Sequence, residues 1–383
     1  MLRNASDTEN NRAKLLPERI REAREARGYT MEEFAEHLGV TKQAVGQYET
    51  GQVVPTGRML SLIIGVTGQP PGFFTADRKR NASGFGVPFW RSLKRMDRPN
   101  RLRISRRLEW AFDVVTYIEN FIDLPRVNIP IIDWDYDTAT DEDIERAAEQ
   151  VRDHWALGRG AIFHLSALLE SNGIIIVKEK VKCDDMDAVS RWQGGRPYIL
   201  CSADEDKDYL PRKNFDLAHE LGHLILHYGV EVCSDNLAKV EAQANRFAGA
   251  FMLPRETFAK DVLSSSLDYF IGLKKHWRVS AQSMIYRSKD LGLLSKHQVG
   301  YLWRQVASRK MKRFEQYDDM FETERPSVLA DALQMLVQHN VQSRAQILSA
   351  INLNSDDLSS ICGTVGGFFE EKVVTLGWKP RSA

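Results

Sequence analysis

The chain has 383 residues, more than one ordinary domain holds, and 43% are hydrophobic and 27% charged; that composition builds packed cores and excludes a disordered chain. Lys plus Arg and Asp plus Glu both total 52, so net charge selects no partner. The four cysteines, Cys183, Cys201, Cys233 and Cys362, form no CxxC pair, which argues against a disulfide-stapled fold or a cysteine-rich zinc site. No run approaches the roughly 20 apolar residues of a bilayer span, and the polar start lacks a signal-peptide core. The expectation is a cytoplasmic protein with no membrane partner.

Residues 1–15 read as a disordered polar tail. Residues 16–76 read as a compact helical unit. Leu16, Ile20 and Ala23 recur at helical spacing until Gly28. Thr30 with Glu33 forms a capping box for a helix over 31–38, closed by Gly39. Thr41 caps a further helix over 42–50, which Gly51 ends. Pro55 and Thr56 introduce another over 57–67, and Gly68, Pro70, Pro71 and Gly72 mark a break.

Residues 77–140 read as a basic linker and connecting helix. Between 78 and 107 there are 11 Arg and Lys against the single acid Asp97. Such a run is either a solvated linker helix or a tracker of phosphates. A helix is expected over 108–122, then an extended connector bracketed by Pro125 and Pro130.

Residues 141–312 have α+β character at their start. Helices are expected over 141–157 and 162–171, with acids at the start of the first, as the helix dipole favours. The β-branched run at 173–181 predicts a strand, and 188–192 and 197–201 two more. Strong helices follow over 214–227 and 240–251. Beyond them the pattern is helical throughout, over 267–276, 280–290 and 296–312. Residues 313–383 continue as a helical region of unknown role, with helices over 327–338, 344–351 and 356–362.

The run HELGH carries the clearest chemistry. It puts His219 and His223 at i and i+4 on one face of a helix, about one turn apart, where both imidazoles can hold one metal. Glu220 stands beside them as the candidate general base, taking a proton from water and passing it to a leaving amine. A catalytic zinc takes three protein ligands and keeps one open position. A third histidine ten positions after the first is excluded, because Gly229 stands there. His227 lies one turn beyond His223, too far along the axis to complete a tetrahedron, and suits a helix C-cap or a supporting role. The following helix offers Glu241 as third ligand, with Asn245 one turn on as its supporting partner. Arg212 and Lys213, ahead of the motif, read as surface charges.

FDLAHELGHLILH together with EAQANRFAGAFMLP resembles the ImmA/IrrE family of zinc metallopeptidases. The unit at 16–76 resembles the XRE-type helix-turn-helix, and the two in this order resemble fused bacterial XRE-regulator and ImmA/IrrE-peptidase proteins. The resemblance implies a zincin-like α+β domain with a small sheet, between an all-α reader and an all-α C-terminal region. It implies Zn2+ on His219, His223 and Glu241, Glu220 as base, and a cognate repressor as protein substrate. One departure is Gln243, where many members carry Glu.

In the XRE fold the helix over 42–50 enters the major groove of double-stranded operator DNA, so Thr41, Lys42, Gln43 and Gln47 are the candidate base and phosphate contacts. Such readers favour homodimers on palindromic sites. The function expected is a DNA-binding regulator with a zinc endopeptidase domain. The alternative is a transcription factor or antitoxin-like module whose zinc domain senses or merely folds.

Overall fold

A computed structural model of the chain describes residues 14–76, 96–179, 187–203, 209–311 and 313–370. The polar tail up to 13, most of the basic run, and the end of the first expected strand lie outside the described residues.

The N-terminal unit folds as its caps dictate. It comprises α1 (Pro17–Ala26), α2 (Met31–Leu38), α3 (Lys42–Thr50) and α4 (Gly57–Thr67), followed by a 3-10 turn over Pro71–Phe74. Thr30 accepts from the Glu33 amide while the Glu33 carboxylate accepts from the Thr30 amide, and Thr41 and Thr56 cap α3 and α4 by accepting from the Ala44 and Met59 amides. A buried ion pair ties α1 to α3. The Arg24 Nε donates to Glu49 Oε1 at 2.5 Å, and Nη2 to Oε2 at 3.1 Å.

Next comes α5 (Arg98–Ile118), which begins ten residues earlier than the apolar pattern suggests. Asp97 caps it, and Pro99 sits in its first turn where a missing N–H costs nothing. The described part of the basic run is therefore the start of this helix. Its charges turn inward: Arg106 pairs with Glu25, Arg103 with Glu179, and Arg107 with both Glu179 and Asp357. These three arginines are engaged by carboxylates of the protein itself, which takes them out of a phosphate-tracking stripe.

The middle region opens with α6 (Asp141–His154) and α7 (Leu165–Ser171), then β1 (Ile175–Glu179), β2 (Ala188–Gln193) and β3 (Arg196–Ser202). Strand order is β1-β3-β2, with β1 parallel and β2 antiparallel to β3. Helices α8 (Leu210–Leu226), α9 (Leu237–Met252), α10 (Arg255–Asp261), α11 (Leu267–Trp277), α12 (Ala281–Asp290) and α13 (Lys296–Ser308) follow. Helix α8 starts at Leu210 because Pro211 occupies its first turn, so Arg212 and Lys213 lie inside it and Lys213 is buried. The reading of both as surface charges fails for Lys213. The chain closes with α14 (Val328–Gln338), α15 (Arg344–Ile351) and α16 (Ser355–Cys362).

Side chains alternate across a strand, and here both faces of the sheet are buried. Ile176, Ile199 and Cys201 join a core with α6 to α9 and α11 to α13. Ile175, Val177, Tyr198 and Leu200 join a second core made with α1 to α5 and α14 to α16. The reader unit, α5 and the C-terminal helices thus share one core with the back of the sheet. No helix among the described residues is long and apolar enough to cross a membrane.

Candidate metal centre

Helix α8 carries HELGH in a setting that leaves little slack. His219, Glu220 and His223 are each 1% exposed. Strand β2 lies against this helix, and Ser190 Oγ donates to the Glu220 carbonyl at 3.4 Å. On another side α9 comes close at Gly222, where an added Cβ would stand 3.1 Å from Phe247 and 3.3 Å from the Ala244 backbone. That glycine lets the two helices approach closely enough for side chains of α9 to reach both histidines.

Three donor groups converge. The Nε2 atoms of His219 and His223 are 3.0 Å apart. Glu241 places Oε1 3.3 Å from His223 Nε2 and Oε2 3.5 Å from His219 Nε2. All these atoms lie within 4.8 Å of one another. A tetrahedron with bonds of about 2.0–2.1 Å has edges of about 3.3 Å, and the observed spacings sit close to that. Two imidazoles and one carboxylate are also the donor set of a catalytic zinc with one open position.

The far side of each imidazole is also held, that of His219 by Asn245 of α9 and that of His223 by His227 at the end of α8. Asn245 donates its Nδ2 to the Glu241 carbonyl at 2.8 Å, so its Oδ1 faces His219 Nδ1 at 3.1 Å. His223 Nδ1 meets His227 Nδ1 at 3.1 Å, and His227 Nε2 meets Gln243 Oε1 at 2.9 Å. Gln243 Nε2 in turn donates to the Tyr136 carbonyl at 2.8 Å. His227 is the C-cap residue of α8, as its position suggests, yet its ring is fully buried and turned back onto His223.

The electrostatics follow from burial. Burial raises Glu241, but hydrogen bonds and charges of His219 and His223 outweigh it and hold the carboxyl well below the usual range. Burial, then the adjacent His223, pushes the His227 imidazole down to about 3, which leaves it neutral.

The sequence singled out His219, His223, Glu241 and Asn245, and the fold brings these four together. Glu220 lies on the same helix, buried. His227 and Gln243 were undervalued; the available signal was the i, i+4 spacing of His223 and His227 on one helical face. At the reader helix the outcome is mixed. Gln43 is exposed and Gln47 half-buried, Lys42 is exposed but paired with Glu32, and the Thr41 hydroxyl is engaged as the N-cap of α3.

A capped tetrahelical reader and a buried His-His-Glu cluster under a small mixed sheet define a helix-turn-helix regulator with a metallopeptidase-type domain. Residues 20–74 match the helix-turn-helix family model HTH_3, and residues 169–289 match Peptidase_M78, the IrrE N-terminal-like domain. The chain thus carries, in that order, a segment that matches an XRE-type helix-turn-helix model and a segment that matches an ImmA/IrrE-type peptidase model. No curated protein matches it.

Proposed function

We propose that this chain is a DNA-bound regulatory protease, which holds Zn2+ on His219, His223 and Glu241 and cuts a cognate repressor or regulator protein. The observation that carries the reading is the near-tetrahedral spacing of the three donor groups beside a buried Glu220.

The residues divide the chemistry as follows. When bound there, zinc polarises a water and the scissile carbonyl. Glu220 accepts the proton of the attacking water at its carboxylate and delivers it to the leaving amine as the peptide bond breaks. His219 and His223 act as neutral donors, their Nε2 lone pairs directed at the metal. Asn245 holds His219 in the required tautomer through its Oδ1. The buried surroundings of the cluster limit bulk water and strengthen each of these interactions.

The domain division follows the same reading: reader at 16–76, peptidase at 141–312 and a helical region at 313–383. Thr41, Lys42, Gln43 and Gln47 face operator DNA, with Thr41 placing the start of α3 through its cap. A DNA partner puts the protein in the cytoplasm, and a homodimer on a palindromic site fits the reader class.

The test joins metal analysis to mass spectrometry of the protein mixed with products of its neighbouring genes. One zinc per chain and fragments that vanish with chelator are expected. Glu220→Gln should keep the zinc and lose the fragments. Undiminished cleavage by Glu220→Gln would remove the general base and with it the proposed reaction.

A further inference from the structure

The amide orientation of Gln243 is decided by its surroundings. Its terminal nitrogen lies 2.8 Å from the Tyr136 carbonyl, which only accepts hydrogen bonds. The amide must therefore present N–H to Tyr136 and its Oε1 to His227. Gln243 Oε1 also only accepts, so His227 Nε2, 2.9 Å away, carries the proton. The other nitrogen of a neutral His227 is then a lone pair, facing His223 Nδ1 at 3.1 Å. That lone pair accepts the His223 Nδ1 proton and leaves the His223 Nε2 lone pair pointing at Glu241 and His219.

Starting from the metal gives the same answer. A neutral imidazole that binds through Nε2 must hold its proton on Nδ1, and that proton needs an acceptor. Only the His227 tautomer described above supplies one. The two directions agree without any group changing its charge.

We propose that His227 and Gln243 are positioning residues. They relay the orientation of the Tyr136 carbonyl through three hydrogen bonds to His223, fixing the tautomer in which it can bind a metal. The proposal rests on the zinc reading of His219, His223 and Glu241 and deepens it. It also accounts for Gln at 243: a carboxylate there could accept from His227 but could not donate to Tyr136. His219 is served by a shorter arm of the same kind, in which Asn245 is anchored on the Glu241 carbonyl. Helix α9 thus supplies a proposed ligand and both carboxamides that orient the other two.

The experiment is a zinc competition titration against a chelator of known affinity, on the full chain. Wild type is compared with His227→Phe, Gln243→Met, the double variant, Gln243→Glu and Glu241→Gln. Supporting partners of metal ligands typically contribute about 10–100-fold in metal affinity. His227→Phe and Gln243→Met should each weaken zinc binding within that range. The double variant should be no weaker than the worse single within about threefold, because both interrupt one path. Gln243→Glu, which keeps the acceptor for His227 but loses the bond to Tyr136, should fall between wild type and Gln243→Met. Zinc affinity unchanged in His227→Phe and Gln243→Met overturns the relay, as do losses that multiply in the double variant. If His227→Phe does not fold, the near-isosteric pair Gln243→Met and Gln243→Glu decides: equal affinities overturn it. The zinc reading fails separately, when wild type binds no zinc or when Glu241→Gln binds it as wild type does.

Discussion

Arg107 of α5 donates through Nη1 to Asp357 of α16 at 2.7 Å, deep in the core shared by the reader unit and the back of the sheet. The same carboxylate accepts from Arg27, just past α1, at 2.9 Å, and from Gln69 and Asn354. One acid thus joins the reader, the long helix and the C-terminal helices. A buried charge with this many donors is costly to remove, because its cations are left behind. Asp357→Asn should destabilise the protein by about 3 kcal/mol, measured by urea unfolding at neutral pH. The sign with pH is fixed. Burial raises the carboxyl, but Arg107 and Arg27 outweigh it and the net shift is downward. Its stabilisation is therefore present above the ordinary carboxylate range and is lost as pH falls through the folded value. The gap between wild type and Asp357→Asn should narrow in acid, and a gap that widens there would contradict the pairing.

Glu170 behaves in the opposite sense. It accepts from the Ser327 and Val328 amides at the start of α14, at 3.0 and 3.2 Å. Burial, opposed by those two bonds and helped by Asp331 and Glu324, pushes its carboxyl up to about 7. The folded state then binds a proton that the unfolded chain has released, so the stabilisation exists below the unfolded value and is lost as pH rises towards 7. Glu170→Gln removes this dependence. Relative to that variant, wild type should lose about 1–3 kcal/mol between pH 5 and 8. Parallel stability curves for the two proteins would show that Glu170 does not titrate in this range.

These two acids also show what was legible in the sequence. Caps and stops are local, so Thr30 with Glu33, Thr41 and Gly51 marked their helices correctly. The i, i+4 histidines and the spacing of Glu241 to Asn245 are equally local, and the four residues converge. The start of α5 was missed because its first turns are charged and no apolar period announces them. Their burial depends on carboxylates far along the chain; Arg107 and Asp357 are 250 residues apart. Lys213 was misjudged because α8 begins at Leu210, which places it inside the helix and not ahead of it. The C-terminal helices carried no motif, so nothing in the sequence tied them to the reader.

Metal removal gives a prediction independent of substrate. A ligand that binds only the folded state stabilises it by mass action, about 4 kcal/mol at a thousandfold excess over Kd. Chelator should lower the melting temperature of the wild type, and added zinc should restore it. Glu241→Gln should respond weakly to both, since it lacks the carboxylate that spans the two Nε2 atoms. Equal zinc responses in wild type and Glu241→Gln would show that Glu241 is not a ligand.

The reader helix separates scaffold from contact. Arg24 holds α3 through Glu49 and also donates to the Tyr29 carbonyl at 2.7 Å. Arg24→Met should therefore loosen the whole unit and show as a lower melting temperature. Gln43 is exposed on α3 and Gln47 half-buried beside it, so changing either to Ala should leave stability within about 0.5 kcal/mol. If they read bases, each substitution should weaken binding to the operator by about 1–3 kcal/mol and relax its sequence preference. Lys42 is different: its ammonium is exposed and pairs with Glu32 only at the surface, so it can exchange that partner for a phosphate. Lys42→Ala should weaken binding evenly across sequences and reduce the salt dependence by about one ion. Fluorescence anisotropy on DNA upstream of the coding sequence, at several salt concentrations, measures all of these together. Binding that is unchanged in Gln43→Ala and Gln47→Ala would mean that α3 does not read base edges through them.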